Sequence, residues 1–222
     1  DPGVDLELQD VVASAKLFDV AGRAGVARCL FVSSAAVHRP FAAEMTEDDP
    51  LSTTDLYGAT KAAGELFLRA ACAQHQMTGV VLRPGPIVGP RAFASGPLHT
   101  PDALSRMVRA AIEGEPITVT RGEGRQFSDV STVARAVRLL TREKRPHSTY
   151  LCVDRELVTR EHVAKTVVAC LNSRSRVEVL MPEATGPTPR FRTERIEHLL
   201  GGPTNAEGAL VEHIRQLATS GR

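Results

Sequence analysis

The residues best suited to chemistry are a phenol and an ammonium four positions apart, Tyr57 and Lys61 in Tyr57-Gly58-Ala59-Thr60-Lys61. The chain has only two tyrosines, and its lysines are Lys16, Lys61, Lys144 and Lys165, arginine having taken most basic positions. A four-residue spacing puts both side chains on one helix face. An isolated phenol titrates near ~10 and is a poor base at neutral pH. A fixed positive charge beside it favours the phenolate and makes the pair a proton-transfer device. Taken alone, the spacing also fits a helix-start tyrosine followed by a solvated lysine.

Such a pair needs elements to hold it. Upstream, Arg28-Cys29-Leu30-Phe31-Val32-Ser33-Ser34-Ala35-Ala36-Val37 is an apolar run that reaches two hydroxyls. This pattern predicts a strand buried in a parallel sheet, with Ser33 and Ser34 at its end. That edge of an open α/β sheet carries the ligand crevice. Downstream, Gly79-Val80-Val81-Leu82-Arg83 predicts a second buried strand. It enters the turn Pro84-Gly85-Pro86-Ile87, which breaks the ladder and brings backbone to the crevice.

Three motifs in order, Ser33-Ser34-Ala35-Ala36-Val37, Tyr57-Gly58-Ala59-Thr60-Lys61 and Leu82-Arg83-Pro84-Gly85-Pro86-Ile87-Val88-Gly89, resemble the extended short-chain dehydrogenase/reductases. More narrowly, they resemble the NAD-dependent epimerase/dehydratase family. The resemblance covers most of residues 4–175 and includes Phe127-Ser128-Asp129-Val130. It implies an α/β fold with a Rossmann-like parallel sheet and a smaller substrate-side lobe. By position it makes Tyr57 the acid/base and Lys61 the holder of the nicotinamide ribose. Ser34 becomes the hydrogen-bonding partner of the reacting oxygen. Ser33, Tyr57, Lys61 and Pro84, Gly85, Pro86 and Ile87 would contact the cofactor, NAD or NADP. A nucleotide sugar is the implied substrate. A hydroxysteroid- or ketone-type reductase, and a non-catalytic or truncated member, stand as alternatives.

The chain departs from the family in three places. The family opens with a strand, a Gly-x-x-Gly-x-x-Gly turn and a helix, the assembly that cradles a pyrophosphate. Residues 1–25 instead match the helix before the serine strand, and Gly22 and Gly25 have no strand ahead of them. The expectation is therefore an N-terminally truncated sheet. Residues 1–91 would be the second half of the dinucleotide-binding domain and residues 92–222 the substrate-side lobe, with elements at about 127–155 returning to the sheet. His38-Arg39 stands where the family has Tyr-Gly, and Ser131-Thr132 where it favours two aspartates.

Composition bounds the rest. The chain has 222 residues, 42% hydrophobic and 24% charged, with a net charge of +1. It has no field for steering nucleic acid or an anionic membrane. No apolar run approaches the roughly 18 residues of a membrane span, and the acidic start lacks the basic region of a signal peptide. Cys29, Cys72, Cys152 and Cys170 are far apart and read as buried reduced thiols in a cytoplasmic protein. The seven histidines form no metal cluster; His38 alone lies near the crevice, where it is a candidate for touching substrate.

Periodicity predicts a helix over about 5–24, with Ala13, Leu17 and Ala21 on one face and Val12, Lys16 and Val20 adjoining. A second helix is predicted over 55–76, with Ala63, Leu66, Ala70 and Ala71 as its packing face. Between the serine strand and that helix, residues 38–54 read as an acidic loop at the substrate edge. Residues 92–101 read as a hinge, and Gly122-Glu123-Gly124-Arg125 as a tight turn rather than a phosphate loop. Further helices are predicted near 102–113, 129–140, 160–172, 191–200 and 206–218, and strands near 117–120, 148–153 and 177–181. An open sheet edge and an uncovered apolar face predict a homo-oligomer.

Overall fold

The computed structural model describes residues 2–90, 102–142, 147–182 and 188–220. The predicted hinge at 92–101 lies outside them. The chain begins with α1 (Pro2–Arg23), β1 (Arg28–Val32), a 3-10 turn at Ala35–His38 and β2 (Glu44–Met45). Next come α2 (Leu56–His75), β3 (Thr78–Pro84), β4 (Ile87–Val88) and α3 (Ala103–Glu113). These are followed by β5 (Ile117–Thr120), β6 (Gly124–Arg125), β7 (Ser128–Asp129), α4 (Val130–Leu140) and β8 (Ser148–Cys152). The remainder is β9 (Val158–Thr159), α5 (Arg160–Cys170), β10 (Val177–Leu180), β11 (Arg190–Phe191), α6 (Glu194–Leu200) and α7 (Glu207–Ser220).

Local chemistry sets many of these boundaries. Asp55, Asp102, Asp129 and Thr159 each accept a backbone N–H from the first turn of the helix they precede, at α2, α3, α4 and α5. Gly114 ends α3 in the left-handed region at φ 75°, a conformation glycine adopts without penalty.

The central sheet is parallel, in the order β1-β3-β8. Its middle strand alternates: Val80 and Leu82 face α4 and α6, while Val81 faces α1 and α2. Both faces are thus covered by helices, as the continuous apolar strand pattern requires. On one side, Phe18 of α1 meets Phe31 edge-to-face at 5.6 Å, above Leu68 and Cys72 of α2. On the other, Ile196 of α6 joins Val133, Ala136 and Leu140 of α4. A second core forms where β5 and β10 pair in parallel beneath α3, α5 and α7, around Met107, Val119, Val167 and Ile214.

The packing faces of the first two helices differ from the sequence expectation. In α1, Leu17, Val12 and Val20 are exposed, and Phe18 is the anchor. This helix carries apolar residues around much of its circumference, so periodicity alone could not select the buried stripe. In α2, Leu66 and Ala70 are exposed, whereas Gly64, Glu65, Leu68, Ala71 and Cys72 are buried. Glu65 breaks the apolar pattern because it is paired inside the protein. All four cysteines are free, and burial pushes the Cys152 thiol up to about 12.

Candidate active site

The site begins with Ser34, which caps the 3-10 turn. Its Oγ accepts the Ala36 N–H at 3.1 Å, leaving its own proton to donate elsewhere. The first turn of α2 lies against this segment because residue 58 is glycine. A Cβ there would sit 2.0 Å from Thr53 Oγ1 and 2.8 Å from the Ala36 carbonyl oxygen. Tyr57, next to it, is 45% exposed.

Lys61 follows one turn later. Its Nζ lies 5.7 Å from the Tyr57 ring centroid and 5.6 Å from that of Phe31. The Phe31 ring reaches under the helix at Gly64, where a Cβ would be 2.5 Å from its Cζ. The ammonium is thereby held over two aromatic faces, with no carboxylate paired to it among the described residues.

A buried polar cluster ties the three motif segments together. Arg83 forms a two-pronged pair with Glu65, at 2.9 Å and 2.6 Å. Its Nη1 also donates to the Glu47 carbonyl at 3.0 Å and faces His38 Nε2 at 2.9 Å. His38 Nδ1 lies 3.1 Å from the Pro50 carbonyl oxygen. A guanidinium can only donate, so Nε2 is the acceptor and Nδ1 carries the proton. Burial, then Arg83, holds the His38 pKa below its ordinary value. His38, a candidate for touching substrate, is instead fully buried and spent on the Arg83 cluster.

Past β3, the Gly85 N–H donates to Ser128 Oγ at 2.9 Å, and that hydroxyl donates to the Cys152 carbonyl at 2.5 Å. A Cβ on Gly85 would meet the Gln126 carbonyl oxygen at 2.7 Å, so only glycine passes here.

These segments surround one cavity of about 980 Å³, lined by Ser33, Ser34, Tyr57, Lys61 and the turn Pro84, Gly85, Pro86 and Ile87. Every residue singled out from the three motifs thus meets in one place. Ser33 Oγ is buried with no hydrogen-bond partner among the described residues.

The basic part of the cavity wall was not anticipated. Arg39, Arg121, Arg125 and Arg160 line it, with Glu123 as the one acidic lining residue among those described. Antiparallel pairing of β6 with β9 sets Arg125 opposite Val158, so Arg160 follows two residues along. Arg160 pairs with Glu123 at 2.9 Å. Partial burial, then Arg160 and Arg39, push the Arg125 pKa down, as expected of cations gathered without enough counter-charge. Of the predicted Gly122–Arg125 turn, Gly122 lies in a turn while Gly124 and Arg125 form β6, and the segment fronts the cavity. No local pattern marks this wall, because residues 39, 125 and 160 are far apart in sequence. Phe41 and Phe191 complete the rim edge-to-face at 5.2 Å, where β2 and β11 pair and pin the acidic loop.

Comparison with known proteins agrees with this architecture. The model of the NAD dependent epimerase/dehydratase family matches residues 2–152. The chain belongs to that family. A UDP-glucuronic acid 4-epimerase from Bacillus cereus, solved with NAD, superposes with a TM-score of 0.80 at 15% identity. That match covers 96% of this chain and 68% of the epimerase. A UDP-glucose 4-epimerase from Thermotoga maritima gives 0.77 at 17%, covering 96% and 70%. A UDP-N-acetylglucosamine 4-epimerase from Methanobrevibacter ruminantium gives 0.76 at 20%, covering 95% and 69%. At these identities the likeness concerns the fold. No curated protein matches significantly. Among the described residues, no helix is long and apolar enough to cross a membrane.

Proposed function

We propose that this family member is an NAD(P)-dependent oxidoreductase of the epimerase type, acting on a hydroxyl or keto carbon of a nucleotide sugar. The observation that carries this reading is the cavity itself, whose lining combines Ser34, Tyr57 and Lys61 with four arginines. A sugar joined to a diphosphate suits both sets of residues at once. A neutral steroid or simple ketone leaves the arginines unused, which favours the nucleotide sugar over that alternative.

The residues present fit a nicotinamide dinucleotide in two respects. Ser33 Oγ is a buried hydroxyl in need of a partner, and the Gly85 backbone admits close approach. Ser33, Lys61 and the Pro84–Ile87 turn would hold the nicotinamide half, where the cofactor supplies reversible hydride acceptance. Tyr57 takes the proton from the substrate oxygen and returns it. Ser34, its lone pair already engaged by Ala36, donates its O–H to the same oxygen and fixes its position. Lys61 places its Nζ beside the phenol ring.

In the same reading, residues 1–91 with the elements at about 127–155 form the cofactor side and the remainder the substrate side. The protein works in the cytoplasm as a homo-oligomer. The test is thermal unfolding of the chain with saturating NAD+, NADH, NADP+ and NADPH. A ligand at ~100 times its dissociation constant adds ~2.7 kcal/mol. An upward shift with one redox pair supports the reading. A cooperatively unfolding sample that responds to none favours the non-catalytic alternative.

A further inference from the structure

We propose that Arg39 is a specificity residue, selecting a nucleotide sugar whose sugar ring carries a carboxylate. The inference rests on the nucleotide-sugar reading above and narrows the substrate class.

The wall arginines have different anchors. Arg125 and Arg160 stand on the β6–β9 ribbon and the start of α5. Arg39 instead ends the 3-10 turn that Ser34 begins, and its Nη1 donates at 3.0 Å to Asp55, the cap of the helix carrying Tyr57. It is tethered to the two elements that bear the proton-transfer residues. A substrate with its reacting oxygen at Ser34 and Tyr57 and its diphosphate at Arg125 and Arg160 has its sugar ring between them. Arg39 lines the same cavity from the end of the Ser34 turn.

Its side chain is set in advance. The guanidinium lies 5.7 Å from the Phe41 ring centroid on one side and on Asp55 on the other. Asp55 consumes one of five N–H donors, and its other oxygen is engaged by the Gly58 N–H at 2.8 Å. The Arg39–Asp55 pair is more than one-third exposed on both sides, so it holds the guanidinium in place without burying it. Planar, two-pronged recognition of a carboxylate is the task a guanidinium performs best. Charge balance points the same way. Five basic lining side chains stand against Glu123 in the lining and Asp55 paired with Arg39, an excess of three positive charges against the two negative charges of a nucleotide-sugar diphosphate.

The experiment is calorimetric titration of the chain, in the presence of NAD+, with uridine diphosphate glucose and uridine diphosphate glucuronic acid. Arg39→Gln and Arg39→Lys variants are measured beside the parent. The parent should bind the acid at least tenfold more tightly than the neutral sugar. Arg39→Gln should abolish the preference, and Arg39→Lys should retain part of it. Equal binding of both sugars by the parent would overturn the assignment while leaving the nucleotide-sugar reading intact. Equal weakening of both by Arg39→Gln would also overturn it, since Arg39 would then be clamping the diphosphate. Binding of neither sugar would overturn both readings together.

Discussion

Arg83 and Glu65 face each other as a two-pronged ion pair, 5% and 7% exposed, beneath the cavity floor. One stands on the strand that leads into the Pro84–Ile87 turn, the other on the helix that carries Tyr57 and Lys61. Removing one partner strands a buried charge, and such losses cost about 3–5 kcal/mol. Glu65→Ala should lower the unfolding free energy by that order in urea titrations. The double change Glu65→Leu with Arg83→Met should recover much of it.

Replacing Tyr57 by Phe removes one oxygen from a half-exposed position. Stability should change by no more than about 0.5 kcal/mol. Turnover of any accepted nucleotide sugar should fall by at least the ~10²-fold that general acid–base catalysis contributes. Near-parental activity in Tyr57→Phe would remove Tyr57 from the proton-transfer role.

Gly58→Ala tests the close approach of α2 to the 3-10 turn. Alanine favours a helix over glycine by about 1 kcal/mol in open positions. Here the added methyl collides with Thr53 and the Ala36 carbonyl. Net destabilisation of about 1–3 kcal/mol is expected from overpacking, with a lower melting temperature.

His38 predicts a pH dependence. Its folded pKa lies below the ordinary imidazole value, through burial first and Arg83 second, with the Pro50 carbonyl, then Glu65 and Asp49, opposing the change. The unfolded chain therefore binds the proton more readily than the native one. The stabilising difference is present above the unfolded value, near ~6.5, and is lost as pH falls toward the folded value. Denaturation curves of the parent and His38→Gln at pH 7.5 and pH 5.5 should show the larger acid loss in the parent. Parallel losses would mean that other groups set the acid limit.

The exposed apolar residues of α1, Leu8, Val12, Leu17 and Val20, are each at least half exposed. A patch of this kind favours association. Sedimentation velocity should show a concentration-dependent species larger than one chain, and Leu17→Glu with Val20→Glu should shift it toward the monomer. A concentration-independent monomer in the parent would count against the homo-oligomer.

Much of the site was legible because its signals are local. Tyr57 and Lys61 share a helix face by spacing alone, and Asp55, Asp102 and Thr159 announce helix starts through short-range hydrogen bonds. The apolar runs at 28–32 and 78–84 read as buried strands because both their faces are covered. Those local patterns determined the α/β class, the order of the main elements and the placing of Tyr57 and Lys61 on one helix face. Only the tertiary structure decided which stripe of α1 is buried, that His38 serves Arg83 rather than a ligand, and that Arg39, Arg125 and Arg160 converge. Each of these depends on contacts between residues distant along the chain, where a charge is hidden by its partner or a cation gathered with others. Such pairings leave no periodicity for a sequence to display.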